Sequence, residues 1–263
     1  MNFVNIQTVL VITGIAFALQ FCYATAMSNT DILMQNLKTE LLSFCLERGA
    51  SLAGVADLEQ ARAAVEAYAS STLHHFPRAI AIAVPFPRSV IAELLQGPTR
   101  TYLHYYRSVN SLIDELCIRL TARLEAGSFA AFPVPSSQRS GKRKLDSIFP
   151  HRIAAYLAGL GWIGKSGCLV NATYGPRIRL GTVLTTAPLP ADAPVADGCG
   201  SCSACVAACP AKAISGIPFS REIPFTDRFT PERCDSYQNE VKRDFGQRVC
   251  GLCLAVCPYG RPA

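Results

Sequence analysis

Cys199-Gly-Ser-Cys202-Ser-Ala-Cys205-Val-Ala-Ala-Cys209-Pro210 is the stretch on which the reading of this chain turns. Its spacing, C-x2-C-x2-C-x3-C-P, is that of bacterial segments that wrap a cubane 4Fe–4S cluster. Three closely spaced thiolates can hold three irons of one cluster, while loop amides stay free to hydrogen-bond its sulfurs. The fourth Cys, set before a helix-breaking Pro, is turned toward a second cluster. A partner set follows: Cys250-Gly-Leu-Cys253-Leu-Ala-Val-Cys257-Pro258, with Cys234 ahead of it. The pattern assigns Cys199, Cys202, Cys205 and Cys257 to cluster 1. It assigns Cys209, Cys234, Cys250 and Cys253 to cluster 2.

Zinc and disulfides are the competing uses of so many thiols. Zinc sites come as two C-x2-C pairs, whereas here a three-then-one run with a trailing Pro occurs twice. Disulfide frameworks belong to short secreted chains. This chain has 263 residues, and eight of its 12 Cys fall from residue 199 onward. Cys45, Cys117 and Cys168 read as small buried hydrophobes.

With 50% hydrophobic residues the chain can bury a full core, in one or two domains. The expected organisation is an apolar leader or mis-assigned start over 1–26, an α/β domain over 27–190, and a small double-cluster domain over 191–263. A net charge of +6 suits a polyanionic partner such as RNA but is too mild to require one.

Residues 1–30 carry no charged side chain, and Val9 to Ala26 is mostly apolar. Three readings stay open: Met27 as the true start, a signal peptide ending Ala24-Thr25-Ala26, or a membrane anchor. The segment lacks the basic n-region of a signal peptide and is marginal in length for a spanning helix. No twin-Arg pair is present to export a protein folded around its cofactors.

From Asp31 to Arg48, apolar residues recur every fourth position between a Ser-Asn-Thr-Asp start and Gly49, which predicts an amphipathic helix. Ser51 to Val55 reads as a strand and Asp57 to Ala69 as an Ala-rich helix. Ala79 to Pro85 is a continuous apolar run, as in a strand covered on both faces. A long helix is expected over Tyr102 to Ala126, and a strand over Phe129 to Val134. Cys168 to Val170 and Arg177 to Thr185 read as a β-hairpin, and Pro188 to Pro194 as a linker. Alternating strands and helices give an α/β or α+β sandwich.

Ser136 to Asp146 holds four cations and one carboxylate, as in a solvated loop or a phosphate contact. Beyond it, a helix from His151 enters Gly159-Leu-Gly161-Trp162-Ile-Gly164-Lys165, where alternate glycines would let the backbone approach a ligand. A tight helix-to-strand turn explains the same pattern.

Three stretches together carry a resemblance: Ala158 to Lys165, Tyr174-Gly-Pro-Arg177-Ile-Arg179-Leu-Gly-Thr-Val-Leu-Thr185, and the cysteine pattern with Arg233-Cys234-Asp-Ser-Tyr237. In this order they resemble the epoxyqueuosine reductases, with the related cobalamin-dependent reductive dehalogenases sharing the double-cluster plan. The resemblance implies an α/β domain holding base-off cobalamin, a ferredoxin-like domain delivering electrons to it, and reduction of epoxyqueuosine on tRNA. It implies Gly159, Gly161, Trp162, Gly164, Lys165, Arg177 and Arg179 near the cofactor, the three cations facing a phosphate. The tRNA enzymes carry an Asp-Ser/Thr-x-Pro-x-x-Glu motif whose Asp donates a proton. Here Asp146-Ser-Ile-Phe-Pro150-His151 keeps the Asp-Ser pair and a Pro, with stretched spacing and no Glu. Asp146 and His151 are therefore rival proton donors, the imidazole because it titrates near neutrality. The sequence also stops without the helical-repeat extension of the full-length enzymes, which points to a shorter branch of undetermined substrate.

Two functions remain at this stage. One is an iron–sulfur reductase with a corrinoid site, served by a flavodoxin- or ferredoxin-type electron donor, with tRNA as a candidate substrate. The other is an electron-transfer protein whose α/β domain only docks a partner enzyme. Both imply the reducing cytoplasm and no stable membrane association; an exported or anchored form depends on residues 1–26.

Overall fold

A computed structural model describes residues 28–63, 66, 71–137 and 147–260. The apolar leader, Asp146 and nearly all of the basic loop lie outside them, as does part of the expected Ala-rich helix.

Helix α1 (Asn29–Glu47) starts on a reciprocal cap. Ser28 Oγ accepts from Asp31 N, and the Asp31 carboxylate accepts from Ser28 N, both at 3.1 Å. Strands β1 (Leu52–Asp57) and β2 (Arg78–Pro85) follow, separated by short 3-10 turns. Helix α2 (Arg88–Glu93), the 27-residue helix α3 (Arg100–Ala126) and strand β3 (Ala131–Val134) come next. Helix α4 (His151–Leu157) enters the two-residue strands β4 (Trp162–Ile163) and β5 (Leu169–Val170), and β6 (Ile178–Thr185) closes the series.

The central sheet runs β1-β2-β6-β3, antiparallel throughout. Its faces are written in the alternation of β2. Ile80, Ile82 and Val84 point to one side, onto α1 and α3 with Leu41, Phe44, Ile113 and Leu120. Ala79, Ala81 and Ala83 point to the other, where α4 brings Ala154 and Ala155. Small residues on both partners let α4 lie close to the sheet. Helices thus cover both faces of a mixed α/β layer, as the continuous apolar run of β2 predicts.

The expected hairpin is re-paired. Cys168 to Val170 does not pair with β6; β5 folds back on β4, with Trp162 opposite Val170. The bridge between Asn171 and Gly175 closes only a turn. β6 is long and hydrophobic enough to be claimed by β2 over its full length.

The Pro-rich linker is bonded along the edge of β1. Asp192 N donates to Val55 O at 2.8 Å, and the Asp192 carboxylate accepts from Val55 N at 2.8 Å and from buried Lys38 Nζ at 2.6 Å. Asp192→Ala would leave the Lys38 ammonium enclosed without its counter-charge. It is expected to cost about 2 kcal/mol in reversible denaturant unfolding, with Lys38→Met in the same background recovering most of the loss. Among the described residues no helix is long and apolar enough to cross a membrane.

Candidate functional site

After Pro194 the chain forms short helices α5 (Ala204–Ala207) and α6 (Phe225–Arg228), the longer α7 (Pro231–Phe245) and α8 (Leu252–Ala255). α5 and α8 pack against each other, each carrying the middle of a cysteine run. The turns that present the thiols need left-handed backbone, supplied by Gly200 at φ +47° and Gly251 at φ +116°.

The thiols fall into two groups by proximity. Burial pushes the Cys257 thiol up to about 11, with Cys199, Cys205 and Cys202 adding to the rise. Burial raises the Cys234 thiol, opposed by the Gln238 amide and reinforced by Cys250 and Cys209. Cys253 is raised well above its usual value by its bond to Cys168 and by burial, with Cys250 and Cys234 nearby. Enclosed thiols that oppose one another's ionisation can all be thiolates only around a strongly cationic centre. Zinc would draw its four sulfurs to within about 3.8 Å of one another. Among the described residues no three His, Cys, Asp or Glu side chains converge on such a single-ion site. The all-thiol donor chemistry fits a cubane.

The Gly-rich turn serves this domain and not an open pocket. The indole of Trp162 donates to Cys199 Sγ at 3.4 Å and meets the Tyr259 ring edge-on at 4.8 Å. A Cβ on Gly164 would stand 3.3 Å from Cys199 Sγ, and one on Gly159 2.7 Å from Ala193 O. Lys165 Nζ, buried, donates to Gly200 O at 2.8 Å and Cys202 O at 3.0 Å. Gly159, Gly161, Trp162, Gly164 and Lys165 do not line the large cavity; Gly159, Trp162, Gly164 and Lys165 cradle the loop from Cys199 to Cys202 and its linker, and Gly161 packs on Val170 of β5. Arg177 is turned away too, toward Phe86 O and the Tyr174 ring.

That cavity, of about 1260 Å³, lies between α4, β6 and the cluster segment. Phe149, Leu157 and Ile178 give it apolar walls, Arg179 and Tyr102 polar ones, and Cys253 reaches it from the cluster side. Arg179 is the one expected cofactor cation found there, fixed by Asn110 Oδ1 at 3.0 Å and Ser136 O at 3.3 Å. Cys168, read from sequence as an inert core thiol, lines the cavity and bonds Cys253. The segment from Phe219 to Arg228 builds one wall, Phe219 packing edge-on to Tyr156 at 5.0 Å and Arg221 donating to Gln60 O at 3.0 Å. Its only signal in the sequence is a Phe/Arg-rich stretch between the two cysteine runs, with no periodicity to place it.

His151 lines the cavity, but both its nitrogens are engaged: Nδ1 with Thr182 Oγ1 at 2.8 Å and Nε2 with Pro135 O at 3.0 Å. A carbonyl only accepts, so Nε2 holds the proton and Nδ1 accepts from the hydroxyl. Burial pushes the imidazole down to about 4, so at neutral pH it is uncharged and its one N–H is held by the Pro135 carbonyl. Because the folded value lies below the unfolded one, the unfolded chain binds the extra proton first. Stability supplied by His151 is then full above about pH 6.5 and is lost as pH falls toward 4, by up to about 3 kcal/mol. Urea unfolding from pH 7.5 to 4.5 should show this slope, and His151→Gln should flatten it.

Residues 198–260 match the family model of the 4Fe–4S double cluster binding domain. The chain is 31% identical over 186 residues to the epoxyqueuosine reductase of Aliivibrio fischeri, covering 67% of this chain and 47% of that protein. It is 37% identical over 198 residues to the epoxyqueuosine reductase of Shewanella oneidensis, covering 67% and 46%. The chain thus spans about half the length of these curated relatives. The fold matches a solved selenomethionine-labelled epoxyqueuosine reductase with a TM-score of 0.60 at 18% identity, over 86% of this chain and 66% of that one. It matches the catabolic reductive dehalogenase NpRdhA with a TM-score of 0.64 at 18% identity, over 84% and 31%. The chain thus carries a C-terminal segment of the 4Fe–4S double cluster binding type and is similar, over two thirds of its own length, to epoxyqueuosine reductases.

Proposed function

We propose that this protein is an iron–sulfur reductase whose reductive centre lies in the cavity walled by Cys253. Cys199, Cys202, Cys205 and Cys257 would hold cluster 1, and Cys209, Cys234, Cys250 and Cys253 cluster 2. The observation that carries this reading is that one cysteine of the second quartet also forms the cavity wall, so electrons reach the cavity without crossing solvent. The cavity is larger than the usual range for a drug-sized ligand, and its apolar walls with a cationic edge suit a corrinoid and a substrate together. When bound, the clusters supply single electrons at low potential and a corrinoid supplies a reducing cobalt centre.

The chain's own residues do the rest. Phe149, Leu157 and Ile178 exclude water from the cavity. Arg179, locked by Asn110 and Ser136, presents a fixed positive charge to an anionic group. His151 is a positioning residue, tying α4 to β6 and to the loop at Pro135. Proton delivery falls to Asp146, by its likeness to the Asp of the tRNA enzymes. One relative was solved with an epoxyqueuosine-modified tRNA stem loop, so that RNA is the first substrate to test. A flavodoxin- or ferredoxin-type protein would supply electrons, in the reducing cytoplasm.

The test is anaerobic reconstitution from Met27 onward. About eight irons per chain are expected, followed by a base-off cobalt signal when cob(II)alamin is added, read by absorption and EPR. Eight irons with no cobalt response would overturn the corrinoid site and leave an electron-transfer protein. Turnover of epoxyqueuosine tRNA by the loaded enzyme would fix the substrate.

A further inference from the structure

Beyond holding its clusters, the chain places a distinct side-chain donor on a ligand sulfur in each quartet. Trp162 Nε1 donates to Cys199 Sγ at 3.4 Å, and Gln238 Nε2 donates to Cys234 Sγ at 3.4 Å. The origins of the two donors differ. Gln238 sits one turn after Cys234 on α7, inside the cluster segment, where the Ala213 amide also donates to Cys209 Sγ at 3.4 Å. Trp162 comes from the sandwich domain, and its orientation is set from two sides. Tyr259 meets the ring edge-on at 4.8 Å, and a Cβ on Gly198 would stand 2.7 Å from the indole. Three residues on, Lys165 is 9% exposed, and its ammonium's bonds among the described residues go to two carbonyls of the cluster loop, Gly200 O and Cys202 O.

We infer that Trp162 and Lys165 are redox-positioning residues for cluster 1 and Gln238 is one for cluster 2, so that each cluster's potential is set independently. This rests on the ligand sets proposed above. A hydrogen bond to a ligating sulfur stabilises the extra negative charge of the reduced cluster, and so raises its potential. A buried cation does the same through space, and does so more strongly in a low-dielectric surrounding. Cluster 1 receives both, from a domain other than its own. Cluster 2 receives neutral amides from its own segment, at Cys234 and Cys209, and a thiol contact from Cys168 of the sandwich domain at Cys253. The Gly-rich turn thereby makes the potential of cluster 1 depend on how the two domains are joined.

The experiment is an EPR-monitored potentiometric titration of the reconstituted full chain, with no corrinoid or substrate present. Trp162→Phe is expected to lower one midpoint so that the reduced-to-oxidised ratio at fixed potential falls about tenfold, about 59 mV for one electron. Lys165→Met should lower the same midpoint further, and Gln238→Leu should lower the other one. Unmoved midpoints in proteins that keep their iron would overturn the inference, as would Trp162→Phe and Gln238→Leu acting on the same cluster. Iron well below eight per chain in the unsubstituted protein would instead refute the ligand sets. Should a variant fail to assemble, the unsubstituted protein still decides. Its single Trp, labelled with nitrogen-15 in the indole, should show a hyperfine coupling to one reduced cluster, and absence of that coupling would overturn the Trp162 assignment.

Discussion

Replacing Cys257 with serine should remove one cluster and leave the other, lowering iron from about eight to about four per chain. The residue lost is the last of the second cysteine run, yet the cluster lost should be that of the first. The proposed ligand sets exchange their fourth members, and the same crossing makes Cys209 a ligand of the cluster built on Cys234, Cys250 and Cys253. Double substitutions separate this from the uncrossed alternative. Cys257→Ser with Cys199→Ser strikes one cluster twice and should still leave about four irons, whereas Cys257→Ser with Cys250→Ser should leave almost none. In an uncrossed arrangement the two doubles would give the opposite results. Iron and sulfide counting with reduced-state EPR reads both. The expected effect is nearly complete because a cubane with one ligand removed is exposed to hydrolysis and oxidation. Serine, a harder donor than thiolate, is a poor replacement.

The cysteine pattern was legible in the sequence because cluster ligation is local: three ligands within seven residues can share one cluster only if the loop between them curls around it. Strand β2 was legible for the same reason, since a continuous apolar run marks a strand covered on both faces whatever packs on it. What the sequence left unreadable was which partner each local signal would meet. Asn171 to Pro176 looks like the turn of a hairpin, and it is a turn, but β6 pairs with β2 and not with β5. Arg177 and Arg179, two residues apart, both read as cofactor cations. Only Arg179 reaches the cavity, because Arg177 is drawn back to Phe86 O. Tyr102 and Cys168 line the cavity from the first turn of a long helix and from the residue just before a two-residue strand, places that tertiary packing and not local pattern decides.

Gly161→Ala is expected to destabilise the protein by about 4 kcal/mol, at the upper end for one added methyl group, and to lower its thermal midpoint by roughly 8–16 °C. A Cβ here would lie 2.2 Å from Val170 O and 2.8 Å from Val170 C. Both are backbone atoms held by the pairing of β4 with β5, so no side chain can rotate to make room. Gly159, by contrast, is constrained both by its φ of +72° and by Ala193 O at 2.7 Å. Gly161 thus tests space alone. The outcome also separates two meanings of an alternating-glycine turn. If the glycine existed to let a corrinoid approach the backbone, alanine would weaken corrinoid binding and leave the apo-corrinoid protein as stable as before. The packing here requires the reverse: a large loss of stability, and disturbance of the Trp162 bond to Cys199 next door. Corrinoid affinity should be preserved in whatever fraction remains folded. Calorimetry of the anaerobic iron–sulfur protein, with and without cob(II)alamin, measures both, and a stable variant with lost corrinoid affinity would return the turn to the cofactor.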